Sequence, residues 1–347
     1  MNFSRRDFLK LAGAVGITSI IPIDIIQKAM GGNGDPRVIW LQGQSCTGCS
    51  VSLLNSVNIT TIDDVLINRI NLEYHSNLIA SAGSFALSNA SGPHPSPNEL
   101  VALADEWLLT GENLTMDVDG PQGVPDGKVN MIDFAALCAQ GYILVVEGTI
   151  PTGASGRFCH VGGEMTMIEA FDQFSKNANS IISVGTCAAF GGIPAAYPNP
   201  TGALSVDGAL AYLNRTKPVV NIPGCPIHPD WFVGTVVNLL AGNSVPLDSY
   251  KRPKEYFGER IHDEGNCPFK GSQEVHNLGE QGCLKEIGCR GPRTYADCYS
   301  RKWNNPGQGQ AGVNWCIAAR TPCHGCTQPD FPDGMTPFYD LHDMSGD

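Results

Sequence analysis

The chain has 347 residues, with 22 Lys plus Arg against 34 Asp plus Glu and a formal net charge of −12 at pH 7. That length allows two domains or one large one with an ample core. An acidic balance of this size repels phosphate and argues against nucleic-acid binding, while 40 Gly and 24 Pro predict that much of the chain is loop.

The first element is a leader. Arg5 and Arg6 precede the apolar stretch "LAGAVGITSIIPIDII", a pattern that reads as a twin-arginine export signal over residues 1–31. The stretch is short and interrupted by Pro22 and Asp24, so it is a poor membrane span. Nothing apolar follows Phe338, so no membrane span of the chain's own is expected. The expected location is the periplasm, reached already folded. Thirteen cysteines in an exported chain would ordinarily suggest disulfides. The number is odd, however, and several sit in short pairs that suit metal better.

Next comes "RVIWL" (37–41), a short, apolar, β-branched run that predicts a buried parallel strand. Cys46 and Cys49 follow it in "GQSCTGCSVSLLNS". Residues 98–140 are of a different kind and resemble a dockerin-like, EF-hand-type calcium repeat. Asp126, Gly127, Lys128 (through its carbonyl), Asn130 and Asp133 would form the second half of such a loop. Asp117 and Asp119 would form the first, parted from Asp126 by "GPQGVP". The alternative is a surface helical hairpin whose carboxylates are simply solvated.

Three more buried strands are predicted at "YILVVEG" (142–148), "SIISVGT" (180–186) and "PVVNIPG" (218–224), with helical patterns in "MIEAFDQFSKNA" and "DWFVGTVVNLLAG". Alternating strand and helix argues for a doubly wound α/β domain over about 35–245. Cys187 follows the third predicted strand and Cys225 the fourth. In an open parallel sheet, ligands gather outside the carboxyl edge. Four thiolates delivered there suit a cubane iron–sulfur cluster or a structural zinc; disulfides are the third option.

Beyond 245 regular periodicity fades and cysteines become dense, at 267, 283, 289, 298, 316, 323 and 326. This tail is not expected to build a conventional core from side chains alone, and is expected to fold around metal. His262, in "RIHDEGNC", is a fair ligand candidate. Sequence order gives two further four-ligand sets, His262 with Cys267, Cys283 and Cys289, and Cys298 with Cys316, Cys323 and Cys326. Cys138 and Cys159 are left over and read as small apolar residues.

The runs "GQSCTGCSVSLLNS", "VEGTIPTG", "VGTCAAFGGIPAA", "VVNIPGCPIHPDW", "GCLKEIGCRGPRTYADC" and "NWCIAARTPCHGCTQPDFPDGMTPFY" closely resemble small subunits of nickel–iron hydrogenases. The likeness covers 37–340 except an insertion at 84–140. "CSVS" and "NWC" are most similar to the nickel–iron–selenium branch. The resemblance implies a flavodoxin-like doubly wound parallel sheet (35–245) followed by a loop-rich iron–sulfur cluster domain (246–347). It implies a proximal cluster on Cys46, Cys49, Cys187 and Cys225, and a distal one on His262, Cys267, Cys283 and Cys289. The medial cluster falls to Cys298, Cys316, Cys323 and Cys326. Family members with proline in place of Cys316 hold a three-iron medial cluster; here the fourth thiolate implies three 4Fe–4S clusters. The implied activity is hydrogenase, in a heterodimer with a large subunit that splits hydrogen, with electrons passed to an external acceptor such as a c-type cytochrome. The alternatives are a cluster-bearing subunit of another respiratory dehydrogenase, or a secreted protein stapled by disulfides or zinc.

Overall fold

The computed structural model describes residues 36–76, 115–118, 127–130, 141–161, 165–241, 243–307 and 310–339. The leader with Arg5 and Arg6, and Cys138, lie outside the described residues. The described strands are β1 (Arg37–Gln42), β2 (Asn71–His75), β3 (Thr115–Val118), β4 (Gly127–Asn130), β5 (Ile143–Glu147), β6 (Ile150–Pro151), β7 (Ser180–Val184), β8 (Ala203–Leu204) and β9 (Val219–Ile222). Five of them form one sheet in the order β2-β1-β5-β7-β9, every pair parallel. Relabelled among themselves, these strands run 2-1-3-4-5. This is the flavodoxin-like order, with its switch point between β1 and β5.

The four strands expected from apolar runs are all present. Their period of two splits them between two cores. Val38, Trp40, Ile143, Val145, Ile182, Val184, Val220 and Ile222 face one side. Ile39, Leu41, Leu144, Val146, Ile181 and Val219 face the other. The edge strand β2, "NLEYH", is the one that apolar runs did not reveal. Among the described residues it pairs only with β1, and its burial falls away towards Asn71. A half-exposed edge strand needs no continuous apolar run.

The described helices are α1 (Gly48–Leu53), α2 (Ile62–Asn68), α3 (Met167–Asn177), α4 (Gly185–Phe190), α5 (Val206–Tyr212), α6 (Pro229–Leu240), α7 (Lys254–Phe257) and α8 (Cys298–Arg301). A capping box starts α3: Thr166 accepts from Glu169 N–H while the Glu169 carboxylate accepts from Thr166 N–H. Phe171 and Phe174 of α3, with Val206 and Leu210 of α5, cover the second face. Trp231, Phe232 and Val236 of α6 cover the first. None of the described helices is long and apolar enough to cross a membrane.

The cysteine-dense tail does contribute to a side-chain core: Ile261, Val275, Leu284, Ile287, Trp315 and Ile317 belong to the same apolar cluster as Trp40 and Trp231. Periodicity missed it because these residues sit in turns and one-turn helices, so their spacing follows neither strand nor helix.

Candidate metal centres at the sheet edge and in the tail

The sheet's switch point is where the first two cysteines leave it. Thr47, at φ 66°, turns the chain into α1, and the Gln42 amide donates to its hydroxyl at 2.6 Å. Cys46 thus lies on the turn and Cys49 in the first turn of α1. After β7 the chain turns at Gly185, φ +85°; a Cβ there would stand 2.6 Å from Cys49 Sγ. Only glycine leaves the sulfur that room. Cys187 sits in α4, and Cys225 follows β9. Cys49 feels the charges of Cys187 and Cys225, and Cys187 those of Cys225 and Cys46. The four sulfurs converge outside the carboxyl edge.

In the tail, Cys298 lies among Cys326, Cys323 and Cys316. Cys289 lies beside Cys267 and Cys283. His262 is half-buried with Lys270 and Lys285 close by, residues from the loops that carry Cys267 and Cys283. Burial, then these two cations and Arg260, push its pKa down. The three groups form a row. Cys225 N–H points at Cys326 Sγ, joining the first group to the middle one. Cys323 N–H donates to Cys289 Sγ at 3.3 Å, joining the middle group to the last.

Several of these thiols do not ionise readily alone. Burial and neighbouring sulfurs push Cys187 up to about 12. Burial, partly offset by the Cys225 N–H, takes Cys326 to about 12. Burial takes Cys289 to about 11, and holds Cys49, Cys298 and Cys323 well above the ordinary thiol value. Backbone N–H groups work the other way: Ile227 on Cys49, Ile193 on Cys187, Gly291 on Cys289 and Gly325 on Cys323. Grouped buried sulfurs fringed by amides suit a cationic cofactor that keeps them as thiolates. All twelve described cysteines are free of disulfides. Among the described residues no three His, Cys, Asp or Glu side chains draw together tightly enough to grip a single ion. Groups of four thiols fit a cubane, whose ligands bind different irons.

Sequence reasoning missed the group beside the first set. Glu147 ends β5 and is 1% exposed. Its carboxylate accepts from Cys49 N–H at 3.1 Å, Ser50 N–H at 3.2 Å and Trp40 Nε1 at 3.3 Å, and from the Ser50 hydroxyl. Since that hydroxyl's proton is spent on Glu147, His75 Nε2, at 3.2 Å, donates to Ser50 Oγ. The readable signal was a lone carboxylate at the carboxyl end of an otherwise apolar strand.

Of the calcium candidates, Asp117, Lys128 and Asn130 lie on the antiparallel pair β3–β4, with Asp117 opposite Lys128. Asp119, Asp126 and Asp133 lie outside the described residues. Cys159 is half-buried against the second core.

A flavodoxin-like sheet with cysteines at its carboxyl edge, followed by a cysteine-lined tail, defines a cysteine-rich α/β class. Two family profiles match the chain. One is NADH ubiquinone oxidoreductase, 20 Kd subunit, over residues 46–239. The other is the C-terminal part of the NiFe/NiFeSe hydrogenase small subunit, over 257–339. The chain is 38% identical to the periplasmic NiFeSe hydrogenase small subunit of Desulfomicrobium baculatum, across 98% of this chain and 99% of that one. It is 33% identical to a periplasmic NiFe hydrogenase small subunit of Nitratidesulfovibrio vulgaris, across 97% and 93%. The crystal structure of a reduced, active form of the Desulfomicrobium baculatum Ni-Fe-Se hydrogenase superposes with TM-score 0.68, covering 89% of this chain and 100% of that one. The chain belongs to the nickel–iron hydrogenase small-subunit family.

Proposed function

We propose that this chain is the electron-transfer subunit of a periplasmic hydrogenase. It would relay electrons between the hydrogen-splitting nickel–iron site of a large subunit and an external acceptor such as a c-type cytochrome. The observation that carries this reading is the row of three sulfur groups, linked at Cys225–Cys326 and at Cys323–Cys289. Bound 4Fe–4S clusters would supply one-electron redox chemistry. Cys46, Cys49, Cys187 and Cys225 would hold the proximal one, and Cys298, Cys316, Cys323 and Cys326 the medial one. His262, Cys267, Cys283 and Cys289 would hold the distal one.

The protein's part is to place, insulate and tune. Sheet and tail share one apolar core that contains Cys267, Cys289 and Cys323 and against which Cys49 and Cys298 pack. The amide groups aimed at those sulfurs stabilise added electrons and so raise the potentials. The Glu147 charge beside Cys49 acts oppositely on the proximal site. A neutral His262 replaces a thiolate at the outer end, which raises the potential there. The named relatives are periplasmic, which agrees with export through Arg5 and Arg6. The match of the tail to a hydrogenase small-subunit domain favours this reading over another respiratory dehydrogenase.

Chemical assay of the co-purified heterodimer tests it. About a dozen irons and as many acid-labile sulfides should belong to this chain; a colourless, iron-free chain removes the proposal. Spin resonance of air-oxidised protein should lack a strong three-iron signal. A strong one would remove Cys316 from the medial ligands.

A further inference from the structure

The inner and middle sulfur groups meet at a side chain that the relay described above does not use. Thr186 is 1% exposed, between Gly185 and Cys187. Its N–H donates to Gly224 O at 3.0 Å. Gly224 N–H donates back to Thr186 Oγ1 at 2.9 Å, and Gly224 is the residue before Cys225. The hydroxyl proton goes the other way, to the carbonyl oxygen of Cys326. The hydroxyl therefore accepts from the segment that delivers Cys225 and donates to Cys326. Thr186 is itself bonded to Cys187. One buried side chain joins two cysteines of the inner group to one of the middle group.

The outer junction also carries a threonine hydroxyl, beside two backbone contacts. There Cys323 N–H reaches Cys289 Sγ directly at 3.3 Å, and Arg290 N–H donates to Cys323 O at 2.7 Å. The Thr294 hydroxyl adds a side-chain link there: it donates to Arg290 O at 2.6 Å and lies 3.5 Å from Cys323 Sγ. At the inner junction the corresponding amide, Cys225 N–H, also points at a sulfur, that of Cys326. Its segment is held there through Gly224 and the Thr186 hydroxyl.

We propose that Thr186 is a positioning residue whose hydroxyl fixes the inner site against the middle one and provides a second bonded path between them, beside the Cys225 N–H contact with Cys326 Sγ. The inference rests on the reading that both groups hold iron–sulfur clusters. A hydrogen bond brings heavy atoms closer than van der Waals contact, so it shortens the gap that electron transfer must cross. An electron passing outward oxidises the inner site by one equivalent and reduces the middle site by one. The hydroxyl proton stays on Oγ1, and no heavy atom moves. Replacing the hydroxyl by a methyl keeps the shape but leaves Cys326 O and Gly224 N–H without their partner. The Cys326 loop then relaxes away.

The test uses the intact heterodimer carrying Thr186→Val or Thr186→Ser. Iron content is assayed first. The middle site's spin-resonance signal is then followed by rapid freezing after mixing with hydrogen. The valine variant should keep wild-type iron yet fill its middle site several-fold more slowly, with the inner site reduced at the normal rate. The serine variant should match wild type. A valine variant as fast as wild type overturns the proposal, as does a serine variant that is equally slow. Loss of iron in the valine variant overturns it too, since the hydroxyl would then serve cluster retention. Iron-free wild-type protein would instead defeat the reading on which the inference rests.

Discussion

Glu147 sets the chemistry of one atom group by its position alone. Its buried carboxylate satisfies two backbone donors, one indole and one hydroxyl, and four donors suit an ionised carboxylate, which accepts only. In Glu147→Gln the amide nitrogen must face at least one of those donors. Leaving a buried donor unpaired costs about 1–3 kcal/mol, so the thermal midpoint of the heterodimer should fall clearly below wild type. An equal midpoint would show that the cluster of donors is not stabilising. His75 adds a pH term in the same network. Desolvation holds its pKa down to about 4 from 6.5, so folding favours the neutral ring. The sign follows: this stability is fully present above about pH 6.5 and drains away as pH falls towards about 4, by up to about 3 kcal/mol. Unfolding scans near pH 7 and near pH 4.5 should show a larger acid loss in wild type than in His75→Gln. Equal losses would place the acid sensitivity elsewhere.

At the scale of elements, each inner cysteine depends on what a strand does after it ends. β7 stops at Val184, and Gly185 then takes φ +85° so that α4 can start while Cys49 Sγ fits alongside. Gly185→Ala puts a Cβ 2.6 Å from that sulfur, on a backbone conformation that L residues avoid. The variant should lose about a third of the chain's iron, the share of one cubane in three, while the outer groups stay loaded. Full iron content would mean that the Cys49 loop shifts freely. How much of this was legible depends on what each element's sequence had to satisfy. "RVIWL", "YILVVEG", "SIISVGT" and "PVVNIPG" are buried on both faces, so their apolar runs announced them and put the cysteines behind them at one edge. β2, half-exposed, had no such run. Glu147 and Thr186 were quoted within motifs but carried no visible role, because the partners of Glu147 (Trp40, Cys49) and of Thr186 (Gly224, Cys326) are close only after folding.

The sheet and the tail behave as one molecule only if something beyond apolar contact holds them in register, and an ion cluster at the foot of α6 does so. Arg301, at the end of α8, lies 3.3 Å from Asp230 of α6 and 2.8 Å from Asp297, and its guanidinium sits 4.9 Å from the Tyr256 ring centroid. Asp297 also accepts from Trp231 Nε1 at 2.7 Å, and Asp230 from the Asn58 amide at 3.0 Å. The Asp230 side chain is only 2% exposed, so it cannot recover hydration if its cation is removed. α8 begins with Cys298 of the middle group, which ties the clamp to the placement of that group. Arg301→Leu leaves two carboxylates facing a buried wall and should destabilise the protein by about 3 kcal/mol. Adding Asp230→Asn should return part of that loss, because the neutral amide no longer needs the cation; a double-mutant cycle reads the coupling directly. Calorimetry of the heterodimer should show this chain's transition moving down as one unit. An early, separate transition for the tail would show that the shared core does not bind the two parts together, and an unmoved midpoint would show that the clamp is idle.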